Sequence, residues 1–214
     1  MRWLATAAMV LAVAGCQSAY YGAMEKVGVH KRDILVDRVD DARDAQADAQ
    51  QEFKSALQRL DEMLQLDGGE LEAQYNKLND DYQASKEAAE RVYDRIDAID
   101  SVAQDLFDEW EDELDEYSND SLRRQSERSL RDTERRYANL LQSMQRAAAT
   151  MDPVLDKLQD NVLYLKHNLN AAAVDAIRGE YRSLQADVAE LVAEMETAIA
   201  ESDAFIEAMQ EGRE

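Results

Sequence analysis

Residues 33–64 read DILVDRVDDARDAQADAQQEFKSALQRLDEML. Within that run Leu35, Val39, Ala42, Gln46, Ala49, Phe53, Ala56, Leu60 and Met63 follow one another at alternating steps of four and three. This is the spacing of a coiled-coil seam, which keeps one face of a helix turned toward its partners. Acids and bases fill most of the positions between. A strand would alternate every second residue, and no such pattern competes.

Reading outward, Asp67-Gly68-Gly69 is a stop signal, because glycine accepts the left-handed conformation that ends a helix. A second seam follows: Leu71, Tyr75, Leu78, Tyr82, Ser85, Ala89, Val92, Ile96, Ile99, Ala103, Leu106 and Trp110, with Leu114 and Tyr117 near its end. No glycine or proline occurs from Glu70 to Asp152. A helix from Glu70 to Tyr117 would be ~70 Å long. Ser118-Asn119-Asp120 offers N-cap side chains. The third seam is Leu130, Thr133, Tyr137, Leu140, Met144, Ala147 and Met151. Asp152-Pro153 then reads as an N-cap followed by proline at the first helical position. Leu155, Leu158, Val162, Leu165 and Leu169 continue the seam. Asn168-Leu169-Asn170 reads equally as a turn or as continuous helix. The last seam runs Ile177, Tyr181, Leu184, Val188, Leu191, Met195, Ala198, Ser202, Phe205 and Met209.

Long helices joined by tight turns bury their stripes by running antiparallel. The expected fold is therefore all-α: an elongated antiparallel coiled-coil-like bundle of four to five long helices, forming one domain over residues 33–214. Composition agrees. Seven glycines and one proline in 214 residues are too few for the frequent turns of an all-β fold. With 46 acids against 24 bases the net charge is −22, which excludes the basic face that nucleic-acid binding needs.

The beginning of the chain has a different character. Met1-Arg2 is followed by an uncharged, largely apolar run from Trp3 to Ala14, too short to span a bilayer, which takes ~20 residues. It reads as a secretory signal over residues 1–15. The single cysteine stands directly after it, in Val13-Ala14-Gly15-Cys16, so no intrachain disulfide and no multi-cysteine metal site is available. This run resembles the lipobox of bacterial lipoproteins. The resemblance implies cleavage between Gly15 and Cys16, acylation of the Cys16 thiol and of the new amine, and a stable anchor, since two or more acyl chains hold where one is marginal. Gln17, in place of aspartate after the cysteine, implies by the same resemblance the outer membrane of a Gram-negative cell. Losing Arg2 with the signal leaves 46 acids and 23 bases, a net of −23.

Residues 16–32 then read as a lipid-anchored juxtamembrane tether. Tyr20, Tyr21, Lys26, Lys31 and Arg32 are its candidate membrane contacts. Tyrosine suits the interface with an apolar ring and a polar tip, and each basic residue is attracted to anionic headgroups by about 1 kcal/mol.

Charge is segregated along the helices. Asp94 to Glu116 holds eleven acids against Arg95 alone, whereas Asn119 to Arg146 holds seven arginines against four acids. The helix macrodipole disfavours acids at a C-terminus and arginines at an N-terminus. Pairing of Asp108, Glu111, Asp112 and Asp115 with Arg123, Arg124 and Arg128 across a hairpin would offset that cost. The acidic stretch 108–116 also suggests a cation or a basic partner, but it has no EF-hand spacing, and a solvated face is the plainer reading.

Motifs of catalysis are missing. No Glu-x-x-His pair, His-Glu-x-x-His, phosphate-binding glycine loop or Gly-x-Ser-x-Gly occurs. Neither cofactor nor specific metal is expected. Trp110 reads as a packing residue of the hairpin tip or as a partner anchor. His167 and Asn168 form a polar knot that orders a turn or meets a partner.

Three groups of strings, Ala19-Tyr20-Tyr21 with Glu25-Lys26, His30-Lys31-Arg32-Asp33-Ile34-Leu35-Val36 with Arg38-Val39 and Ala42-Arg43, and Leu165-Lys166-His167-Asn168-Leu169-Asn170-Ala171, together resemble a bacterial lipoprotein family catalogued as domain of unknown function 2959. The resemblance spans nearly all of the chain after the signal. It implies a helical, envelope-located protein and brings no catalytic residues. The expected function is a lipid-anchored, non-enzymatic scaffold or adaptor facing the periplasm from the inner leaflet of the outer membrane. It would contact a protein partner or a second copy of itself. The alternatives are handling of a lipid or other hydrophobic ligand, and, more remotely, a carboxylate-based hydrolase.

Overall fold

The seam of residues 35–63 folds as α1 (Lys31–Leu64), and all nine of its positions are buried. The computed structural model describes residues 30–65 and 70–211. The signal, Cys16, Tyr20, Tyr21, Lys26 and the Asp67-Gly68-Gly69 stop lie outside the described residues. After that stop come α2 (Leu71–Leu114), α3 (Asp120–Ala149), α4 (Met151–His167) and α5 (Ala171–Glu211). No strand occurs among the described residues.

The helices form four antiparallel rods, because α3 and α4 follow one another with only Thr150 between them. α1 packs on α2 and α5, and α3 and α4 each pack on α2 and α5. The register is written in contacts that descend one helix while climbing its neighbour. Arg32 donates to the carbonyl of Met209, Gln50 to that of Val192 (3.4 Å), and Arg178 to that of Leu64 (2.7 Å). Between α1 and α2, Lys31 pairs with Glu109 (2.6 Å), Arg95 with Asp41 (3.4 Å) and Arg59 with Asp81 (3.0 Å). At 1.5 Å per residue, the 44 residues of α2 span ~66 Å.

One core runs the length of the rod, from Leu35 and Met209 at one end to Met63, Leu165 and Ile177 at the other. Alanine fills many seam positions, among them Ala49, Ala56, Ala89, Ala103, Ala147 and Ala198. Small residues let the helices approach closely, so the core is thin. Gln46, Ser85, Ser143 and Ser202 are buried within it. Ser85 and Ser202 donate to the carbonyls one turn back, Asp81 and Ala198.

Three junctions carry information. Asn119 caps α3, its side chain accepting from the Ser121 and Leu122 amides at 2.9 and 3.3 Å. Asn168-Leu169-Asn170 is a turn: Asn168 Nδ2 donates to Tyr164 O (2.9 Å) and Asn170 Oδ1 accepts from Ala173 N (3.1 Å), so the two amides close α4 and open α5. Asp152-Pro153 is not an N-cap followed by proline at the first helical position: Asp152 and Pro153 are the second and third residues of the helix. The helix restarts at Met151, and Thr150 passes between α3 and α4 in right-handed helical geometry. Proline 153 has no amide hydrogen for the carbonyl of Ala149, which breaks the ladder without turning the chain. Asp152 instead accepts from the Tyr93 hydroxyl at 2.9 Å.

Candidate functional site

The two ends of the rod differ, and the exposed apolar side chains lie near them. At the near end α1 begins, α2 ends, α3 begins and α5 ends. At the far end α1 gives way to α2, and α4 turns into α5.

At the near end Lys31 and Arg32 are held by the bundle. Lys31 sits between Glu109 (2.6 Å) and the carbonyl of Asp105 (3.3 Å), and Arg32 is directed onto Met209. Two charges assigned by sequence to the membrane are thus engaged with the end of α2 and α5, which brings the acidic stretch of α2 to the end at which α1 begins. Trp110 is half-buried and donates from Nε1 to Ser126 Oγ at 2.8 Å, closing the α2–α3 hairpin. An open groove of about 550 Å³ runs from it past Tyr117, Leu122 and Arg136 to Met209. Tyr117 is 40% and Leu122 52% exposed.

The anticipated ion pairs across this hairpin do not form. Among the described residues, none of Asp108, Glu111, Asp112 and Asp115 pairs with Arg123, Arg124 or Arg128. Both rows point into solvent. The helix ends are held by Trp110, and exposed side chains in water gain too little from pairing to be drawn together.

Along the rod, tyrosines join helices to carboxylates. Tyr137 stands edge-on between Phe107 and Phe205, with centroids 5.5 and 6.5 Å away, and donates to Asp100 at 2.7 Å. Burial, and then that bond, push its phenol well above the ordinary value. Tyr93 donates to Asp152 (2.9 Å) and to the carbonyl of Ala148 (3.1 Å), and burial with the Asp152 bond raises it to about 12. Tyr181 is raised by burial and its bond to Asp61. These phenols are locked as donors, a structural arrangement.

At the far end an open groove of about 290 Å³ lies between α4 and α5, walled by Tyr164, Ile177 and Leu184 and rimmed by Lys157, Asp160 and Glu180. Lys157 pairs with Asp187 and donates to Ser183 (2.7 Å), fixing one rim. Beside it Leu163 is 50%, Tyr164 45% and Leu169 37% exposed. His167 is the exposed last residue of α4, and Asn168 is half-buried with its amide engaged in the cap. The exposed pair Leu163-Tyr164 was missed by sequence reasoning. Its signal was the unbroken run Val162-Leu163-Tyr164-Leu165, more apolar than a seam requires.

Among the described residues no three His, Cys, Asp or Glu side chains gather to hold a metal ion, and no helix is long and apolar enough to cross a membrane. The arrangement offers surfaces for contact. A family described as "Protein of unknown function (DUF2959)" matches residues 20–209. No curated protein and no solved structure matches the chain.

Proposed function

We propose that this chain, which belongs to the DUF2959 family, is a lipid-anchored, non-enzymatic scaffold of the bacterial cell envelope. Anchored through Cys16 to the inner leaflet of the outer membrane, it stands in the periplasm and meets its protein partner at the far end. The observation that carries this reading is polarity of the rod. α1 begins at one end, and the exposed Leu163, Tyr164 and Leu169 lie toward the other, ~50 Å away along the helices. A tether ahead of α1 would hold the near end close to the bilayer and carry the apolar patch out to a partner. Patches of large apolar side chains with a polar rim favour protein contact.

Two experiments divide the reading into its parts. Palmitate labelling and fractionation of wild type and Cys16→Ser test the anchor: label in the membrane fraction that disappears in the variant supports it, and an unlabelled wild type removes it. A photo-crosslinking residue placed at Tyr164 or, for contrast, at mid-rod Glu90 tests the contact. Capture of the same protein from Tyr164 and not from Glu90 supports the far-end site; equal capture from both rejects it.

A second reading has one observation in its favour. The α4–α5 groove has an apolar floor of Ile177 and Leu184, as an acyl chain would need. Extraction and mass spectrometry of the purified chain decide it: a stoichiometric lipid lost on Ile177→Asp would favour ligand handling over scaffolding.

A further inference from the structure

The near end carries two rows of opposite charge that the chain leaves unmatched. Asp108, Glu111 and Asp115 descend the outer side of α2, and Arg123, Arg124 and Arg128 climb the first turns of α3. All six are exposed, and none forms an ion pair among the described residues. The members of each row nearest the hairpin turn also sit at the unfavourable end of their helix dipole, which disfavours their placement within the monomer. Beside the rows, no residue from Asp120 to Ser129 is buried, and Leu122 and Tyr117 stand in solvent at the mouth of the 550 Å³ groove.

We propose that this face is an isologous interface with a second copy of the chain. In a two-fold dimer the acidic row of α2 faces the arginine row of α3 in the partner copy, and the reverse contact is generated by the same symmetry. Charge complementarity selects this occupant. An anionic membrane matches the arginines and repels the acids, and a basic peptide does the opposite. A second copy brings both signs. With the two-fold axis parallel to the rods, both copies of α1 begin at the same end. This goes beyond the scaffold reading, which names no partner and survives its failure.

The test is sedimentation equilibrium of residues 17–214, which contain every described helix and the whole core. Two charge-reversed forms accompany the wild type. One carries Asp108→Lys, Glu111→Lys and Asp115→Lys; the other carries Arg123→Glu, Arg124→Glu and Arg128→Glu. Both place their new charges favourably on the helix dipoles, so helical circular dichroism is expected to be retained. The wild type is expected at twice the chain mass, with an affinity falling as salt rises. Each variant alone is expected at the single chain mass, its self-affinity reduced about tenfold or more. An equal mixture of the two is expected to return to twice the mass, because each then supplies the sign the other lacks. A monomeric wild type at low salt overturns the proposal. So do variants that associate as tightly as wild type, a mixture that stays monomeric, and a monomeric wild type that binds only anionic vesicles or only polylysine.

Discussion

At the scale of single residues, Gln46 and the buried tyrosines show how differently a seam treats polar groups. Gln46 is fully buried at a seam position, and neither its amide oxygen nor its amide nitrogen meets a hydrogen-bond partner in the protein. An unmade buried hydrogen bond costs about 1–3 kcal/mol. Gln46→Leu, of similar volume, is therefore expected to raise the melting temperature, and an unchanged or lower one would show that the amide is satisfied. Tyr93 and Tyr137 are the reverse case, each with its hydroxyl on a carboxylate. Both phenols are raised from 10.0, Tyr93 to about 12 and Tyr137 further, so the fold favours the protonated form. That stabilisation is complete below pH 10 and is lost as pH rises through the folded values. Thermal melts at pH 9 to 12 are expected to show a steep loss of stability, shallower in Tyr93→Phe/Tyr137→Phe. Seam spacing showed that Tyr137 would be inside, but it could not show that Asp100 would receive its hydroxyl, since that depends on the register of α2 against α3.

At the scale of elements, the cap of α3 was readable, the turn at 168–170 was left open, and the restart at residue 150 was not foreseen. Asn119 stands in the Ser118-Asn119-Asp120 break between two seams, which offers N-cap side chains, and its side chain takes two otherwise unpartnered amides. Asn119→Ala is expected to cost about 1 kcal/mol, measured by urea denaturation. Asn119→Ser should cost much less, because a hydroxyl can cap as well. Asp152-Pro153 carries the same local signal, yet α3 and α4 stay in line there. Proline at the third position of α4 lacks only its own amide hydrogen, and packing of Ala147, Ala148, Met151 and Val154 into one core holds the chain straight through the gap. The hairpin ion pairs failed for a related reason. The sequence placed acids and arginines on either side of a turn, but exposure leaves them in water, and Trp110 with Ser126 joins the helices instead.

At the scale of the whole molecule, a net charge of −22 is spread over a thin rod. Like charges repel along its length, and added salt screens them within about 10 Å at 0.1 M. The melting temperature is expected to rise between 10 and 300 mM sodium chloride, roughly in proportion to the shrinking Debye length; a flat response would mean that internal ion pairs offset the repulsion. Spacing along the chain was enough for the helices, their seams and their antiparallel joining. Helical periodicity is a local property, and a stripe repeated over ten turns admits no other partner than a second stripe. What stands beside what emerged from packing alone: that Lys31 lies on Glu109, that the acidic end of α2 is the end at which α1 begins, and that Leu163 and Tyr164 lie toward the opposite end. These depend on the cyclic order and register of four rods, set by how side chains of different volume interlock across the core. No spacing within a single helix encodes that.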